Sequence, residues 1–197
     1  TLFRSETPFL QLQMEHEGKS VTLNTHLVGS YNADNVMAAL AIGSYFEVPF
    51  KKMVAAIESY VPSNSRSQLV KTGRNTLVID AYNANPSSMR AALDNFAATE
   101  FPGKVLMLGD MLELGTDSAR EHLAVLQQAI AVSEEIYLVG SEFGGAVAGL
   151  GETGADIRPF ETIEDLKAYV TEHPLEQRTI LIKGSNGKHM QRVVDAL

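Results

Sequence analysis

The sequence contains no cysteine. Disulfides, thiolate metal sites and a cysteine nucleophile are therefore excluded, and the composition fits a reducing compartment. Positive charge is also short: 16 Lys and Arg stand against 24 Asp and Glu, a formal net charge of -8. Binding of nucleic acid or anionic lipid through bulk charge is thereby disfavoured, so an anionic ligand must be held by a few placed groups. No apolar run approaches the roughly 20 residues a membrane helix needs. The opening Thr1-Leu2-Phe3-Arg4-Ser5-Glu6 has neither an initiator Met nor the basic head and apolar stretch of a signal peptide. It predicts a chain that begins inside a longer protein.

What remains is an ordinary globular composition, 45% hydrophobic and 20% charged over 197 residues. At about 150 residues per domain this makes one large domain or two unequal ones. Apolar and polar residues roughly alternate from Phe9 to His26 around Glu17-Gly18-Lys19, which predicts a β-hairpin. Two helices are expected next, Asn32 to Phe46 and Pro49 to Tyr60, the second with Pro in its first turn. Val61-Pro62-Ser63-Asn64-Ser65 then breaks both periodicities and sets a boundary between residues 1–62 and 63–197.

Downstream, short β-branched or Leu-rich runs at Thr76–Ile79, Val105–Leu108, Ile136–Val139, Asp156–Arg158 and Thr179–Ile182 read as strands. They alternate with helical patterns at Ser87–Ala98, Ser118–Val132, Glu142–Leu150 and Ile163–Thr171, and a last helix is expected after Gly187. This is an α/β pattern: a mostly parallel, Rossmann-like sheet with helices on both faces. Ligands of such sheets sit at the carboxyl ends of the strands.

Two glycine patterns carry no nucleotide-loop chemistry. Gly149-Leu150-Gly151-Glu152-Thr153-Gly154 follows a helix and leads into a strand, the reverse of a dinucleotide fingerprint. Gly18-Lys19-Ser20 has the tail of a phosphate loop, but Gln13 stands where its first Gly belongs and the segment is a hairpin turn.

Three strand-end loops hold the candidate chemistry. Asp80-Ala81-Tyr82-Asn83-Ala84-Asn85-Pro86 collects an acid, a phenol and two amides; Asp80 could accept from a ribose hydroxyl, and Asn83 or Asn85 could pair with an amide. The same residues also fit plain structural roles, with Asn85 or Ser87 capping a helix and Asp80 in a turn. Leu108-Gly109-Asp110-Met111-Leu112-Glu113-Leu114-Gly115 brackets an acidic loop with glycines, and His122, which follows, reads first as a surface or capping histidine. Lys183-Gly184-Ser185-Asn186-Gly187-Lys188-His189 offers a hydroxyl, two ammonium groups and a helix start for a carboxylate or phosphate. Upstream, Asn32 and Asn35 share a helix face, where Asn35 suits an adenine edge or a cap. Arg66 in the linker is either a phosphate contact or a solvated residue. The five His show no paired spacing and the acids no calcium-loop pattern, so no metal site is expected.

Taken in order, these segments resemble the Mur ligases of peptidoglycan synthesis. Gly29-Ser30-Tyr31-Asn32-Ala33-Asp34-Asn35 with Ala38-Ala39 is similar to the family's G-x-[HY]-N-x-x-N-x-x-A-A helix, and Ser65-Arg66 to its linker arginine. The D-A-Y-N-A-N-P, L-G-D-M-L-E-L-G and K-G-S loops extend the resemblance over nearly the whole chain, whereas the D-Y-A-H-x-P and D-N-P-R elements of the branch that adds diaminopimelate or lysine are missing. The resemblance implies that residues 1–62 end a P-loop-type ATPase domain and residues 63–197 form the C-terminal domain. It implies an ATP-dependent, Mg2+-assisted amide ligation: the carboxylate of UDP-N-acetylmuramoyl-tripeptide becomes an acyl phosphate, which the amine of D-alanyl-D-alanine attacks. By position Asn35 matches the adenine contact, Arg66 the arginine that reaches ATP phosphates when the domains close, and Asp80 the ribose contact. Tyr82, Asn83, Asn85, Asp110 and Ser185 fall in the loops that face the amine substrate. A monomeric, cytoplasmic enzyme without nucleic-acid or membrane partners is implied. The family's G-T-[NK]-G-K-T loop, metal-binding Glu and His, and carbamoylated Lys would precede Thr1, so no catalytic residue or metal ligand is expected here and the isolated chain is expected to be inactive. The alternatives are a non-catalytic nucleotide- or amino-acid-binding module and another member such as a folylpolyglutamate ligase, the latter disfavoured by D-A-Y-N-A-N-P.

Overall fold

The computed structural model describes residues 2–4 and 8–197. The chain divides into two compact units, residues 1–63 and 64–197.

In the first unit β1 (Leu2–Arg4), β2 (Phe9–His16) and β3 (Lys19–Val28) form an antiparallel sheet in the order β1-β2-β3. Glu17 and Gly18 join β2 to β3 with φ of 50° and 74°, the paired left-handed conformation that matches the twist of a two-residue hairpin. The alternation of β2 buries Leu10 and Leu12, which pack with Leu23 of β3. Against them lie Val36 and Leu40 of α1 (Ala33–Tyr45) and Met53 of α2 (Phe50–Ser59). Pro49 is the residue before α2, one position earlier than a first-turn proline; its extended ψ of 133° ends the incoming loop.

The second unit is a six-stranded sheet in the order β4-β5-β9-β6-β7-β8. Its strands are β4 (Gln68–Lys71), β5 (Thr76–Asp80), β6 (Lys104–Gly109), β7 (Glu135–Val139), β8 (Asp156–Phe160) and β9 (Thr179–Lys183). All pair in parallel except β4, which pairs antiparallel with β5. The connecting helices are α3 (Pro86–Ala98), α4 (Ser118–Val132), α5 (Ser141–Ala148) and α6 (Ile163–Glu172). Progress from β5 through β6 and β7 to β8 runs one way across the sheet, and the return to β9 runs the other. Right-handed crossovers then put α3, α4 and α5 on one face and α6 on the opposite face. The packing agrees: α4 contacts both α3 and α5, while α6 contacts the C-terminal segment. Leu77, Ile79, Val105, Met107, Ile180 and Ile182 point to the α6 face and bury Leu166, Val170, Met190 and Val193. The alternate strand residues, among them Leu106, Leu108 and Leu138, are buried as well, which is why the central strands are apolar throughout.

β4 was not foreseen. The last helix, expected after Gly187, is present in 3-10 form: turns span Asn186–Lys188 and Met190–Ala196, separated by His189 in the left-handed region at φ 51°. Met190, Val193 and Ala196 recur every third residue, the period of a 3-10 helix, so the tight form keeps all three on the core side.

Candidate functional site

The strand order brings the three polar loops together. β9 lies between β5 and β6, so the segments after Asp80, Gly109 and Lys183 leave neighbouring strands at the same sheet edge. The chain after β9 passes to the α6 face, whereas α3 and α4, which follow β5 and β6, lie on the other. That divergence makes the edge a switch point, where open α/β sheets hold ligands.

Charged side chains beneath the loops lock them to one another. Asp80 and Lys183 are register partners on β5 and β9, and Lys183 Nζ donates to Asp80 Oδ2 at 2.6 Å and to the Asn83 carbonyl at 3.4 Å. Lys183 is 2% exposed, so it is an internal tie and not, as the sequence suggested, a cation offered to an anionic ligand. The other oxygen of Asp80 accepts from the Ser67 N–H at 3.3 Å.

Asp110 is equally committed. Its Oδ1 accepts from the Phe143 N–H at 2.9 Å and its Oδ2 from the Glu142 N–H at 3.3 Å, at the start of α5, while Lys188 Nζ stands 2.9 Å from Oδ2. Gly140 makes room for this: at φ 118° a Cβ there would lie 2.0 Å from Asp110 Oδ2. Ser185 is buried between the other loops, its Oγ accepting from the Leu112 N–H at 3.0 Å and donating to the Ala84 carbonyl at 3.3 Å. Gly184 permits the close approach, since a Cβ there would be 2.9 Å from Gly109 Cα.

His122 is fully buried, which corrects the expectation of a surface or capping histidine. Its Nε2 lies 3.0 Å from the Met111 N–H and its Nδ1 2.8 Å from the Ser118 carbonyl. A carbonyl only accepts, so the proton is on Nδ1 and Nε2 is the acceptor that fixes the acidic loop. The edge of its ring meets Phe143 at 4.7 Å.

The exposed residues sit above this framework. Asn85 caps α3, its Oδ1 accepting from the Ser88 N–H and Ser87 Oγ, each at 2.8 Å, and Ser88 Oγ completes a capping box. The side chain remains exposed, so the cap and a ligand contact are compatible. Asn83 is exposed, and its Oδ1 accepts from the Ala84 N–H at 2.9 Å. Tyr82 is 47% exposed and carries the Arg66 guanidinium over its ring, 3.6 Å from the centroid. Leu112 and Glu113 form the exposed tip of the acidic loop. Asn35 lies in the other unit, exposed in the first turn of α1, where its Nδ2 donates to Asn32 Oδ1 at 3.1 Å. Asn32 does not cap α1 with its side chain but donates to the Val28 carbonyl at 2.9 Å.

Among the described residues no group of three or more His, Asp or Glu side chains could hold a metal ion, and no helix is long and apolar enough to cross a membrane. The groups exposed at the edge are a guanidinium, a phenol and two amides, with ordered backbone N–H groups beside them.

A mostly parallel six-stranded sheet with an antiparallel edge strand and helices on both faces defines an α/β domain of the doubly wound class. Residues 65–186 match the family described as "Mur ligase, glutamate ligase domain", and the chain belongs to the Mur ligase family. It is 33% identical over 171 residues to the UDP-N-acetylmuramoyl-tripeptide–D-alanyl-D-alanine ligase of Treponema pallidum, covering 85% of this chain and 37% of that protein. The enzyme of the same name from Escherichia coli is 33% identical over 183 residues, covering 90% and 39%. A crystal structure of MurF from Acinetobacter baumannii superposes with a TM-score of 0.84 at 25% identity, covering 95% of this chain and 42% of that one. The chain thus spans about two fifths of the length of these relatives.

Proposed function

We propose that this chain is the C-terminal part of an ATP-dependent ligase that joins D-alanyl-D-alanine to UDP-N-acetylmuramoyl-tripeptide in peptidoglycan synthesis. Residues 1–62 end the ATPase domain and residues 63–197 form the domain that receives the amine substrate. The observation that carries this reading is the placement of D-A-Y-N-A-N-P, L-G-D-M-L-E-L-G and K-G-S on three adjacent strand ends, in a chain similar to relatives bearing that name.

ATP supplies the phosphoryl group that activates the tripeptide carboxylate. Within this chain, Arg66 offers the exposed guanidinium that suits ATP phosphates, and Asn35 the amide for adenine. Asp80, whose oxygens already hold Ser67 and Lys183, supports Arg66 more than it reaches outward. Asn83 and Asn85 face the dipeptide. Asp110, Ser185 and His122 act on it through the loop backbone they order. Mg2+ finds no ligand cluster among the described residues, so no step is assigned to it here. The enzyme is cytoplasmic and monomeric, and the 197 residues alone do not turn over ATP.

Protein expressed from the complete reading frame should release ADP and form an amide with D-alanyl-D-alanine when given ATP and the muramoyl tripeptide. Coupling of glutamate in place of the dipeptide would move the chain to the folylpolyglutamate-type branch, and ligand binding with no coupling of any amine would make it a binding module.

A further inference from the structure

Arg66 occupies the most constrained stretch of backbone at the site. Its two neighbours, Ser65 and Ser67, have φ of 57° and 48°, a left-handed conformation that is unfavourable for residues with a Cβ. Both are anchored. The Ser65 carbonyl accepts from the Ala81 N–H at 2.8 Å, and the Ser67 N–H donates to Asp80, which Lys183 in turn holds. These contacts continue the β4–β5 pairing, in which Gln68 faces Ile79. The loop is therefore a small arch that lifts Arg66 over the residue following Ala81, which is Tyr82.

The guanidinium lies on that ring at 3.6 Å, a distance at which an aromatic face attracts a cation. Stacking covers one face of the guanidinium and leaves its N–H donors at the edge, in the plane where bidentate contacts to phosphate are made. The other two cations of the loops are paired, Lys183 with Asp80 and Lys188 with Asp110, whereas among the described residues no carboxylate pairs with Arg66. Arg66 thus keeps its charge for a ligand while the ring restricts its rotamers.

We propose that Tyr82 is a positioning residue for Arg66, and that it thereby serves the phosphates of the nucleotide and not the amine substrate that the sequence assigned to it. The assignment rests on the reading of Arg66 as the phosphate contact of an ATP-dependent ligase.

The test is a double-mutant cycle on ATP affinity, measured by calorimetry in protein from the complete reading frame. Tyr82→Leu should weaken ATP binding about two- to fivefold, the strength of an exposed cation–π contact. Tyr82→Phe, which keeps the ring, should match the parent. Arg66→Ala should weaken binding further, and adding Tyr82→Leu to it should change nothing more. D-alanyl-D-alanine affinity should be unaltered by Tyr82→Leu, with matching thermal unfolding of each variant showing that the fold is kept. A loss of dipeptide affinity with ATP affinity intact overturns the proposal, as does a Tyr82→Leu effect that persists undiminished without Arg66. Absence of ATP binding in the parent protein overturns both this assignment and the ligase reading; ATP binding without amide formation overturns the ligase reading alone.

Discussion

Replacing Lys183 with Met tests the role of the tie beneath the loops. Met fills much of the same volume without the charge, so the packing of β9 is largely kept and the change isolates the ion pair. The parent pair is short, 2.6 Å, with the Lys side chain 2% exposed and the Asp80 side chain 14% exposed. Removing one partner of a buried pair leaves the other charge uncompensated, at a cost of about 3–5 kcal/mol. Asp80 keeps the Ser67 N–H and some access to water, which places the expected loss near the lower end, about 3 kcal/mol. For a unit of this size that lowers the unfolding midpoint by roughly 10 °C. Urea unfolding of the 197-residue chain, followed at the amide resonances of β5 and β9, reads the loss directly. Asp80→Asn combined with Lys183→Met should recover part of it, because the stranded charge is gone. A loss below about 1 kcal/mol, or purely additive effects of the two substitutions, would refute the claim that the pair is buried and coupled.

Three further outcomes follow from the same framework. His122→Ala removes the acceptor of the Met111 N–H and opens a cavity beside Phe143, and should destabilise by about 2–4 kcal/mol; His122→Gln, whose amide oxygen can take the place of Nε2, should lose less in the same denaturation assay. Gly140→Ala places a Cβ against Asp110 Oδ2 at a φ that only glycine tolerates, so a loss of about 3 kcal/mol or more is expected, with amide exchange accelerated first at the start of α5. Asn85→Ala should cost about 1 kcal/mol through the lost α3 cap, whereas Asn85→Asp should be close to neutral, as thermal unfolding will show.

Much of the architecture was legible because it depends on local pattern. The runs at Val105–Leu108 and Ile180–Ile182 are apolar throughout, as strands covered on both faces must be, and the helices between them carry a 3.6-residue period. β4 escaped because Gln68–Lys71 has only two apolar residues and lies at the sheet edge, although Gly73 and Asn75 mark the turn after it. That omission hid more than a strand: the β4–β5 hairpin is what carries Arg66 to Tyr82, sixteen residues later in the chain. Three apolar positions at 190, 193 and 196 were too few to separate a period of three from one of 3.6. The loops were recognisable as chemistry, but the roles of their residues were not. Lys183 meets Asp80, Ser185 meets Leu112 and Asp110 meets Phe143 only after long-range pairing brings distant segments together, and a residue type does not disclose whether its polar atoms point outward or are already bonded within.

The central claim, that the edge formed by β5, β9 and β6 receives the amine substrate, is most directly tested by titrating D-alanyl-D-alanine into the isotopically labelled 197-residue chain and mapping amide shifts. The account predicts saturable shifts at residues 83–85, 110–113 and 184–186, with none at the opposite edge around Thr72–Asn75 and Gly103. Shifts confined to that opposite edge, or no shift at these loops at millimolar dipeptide, would contradict it.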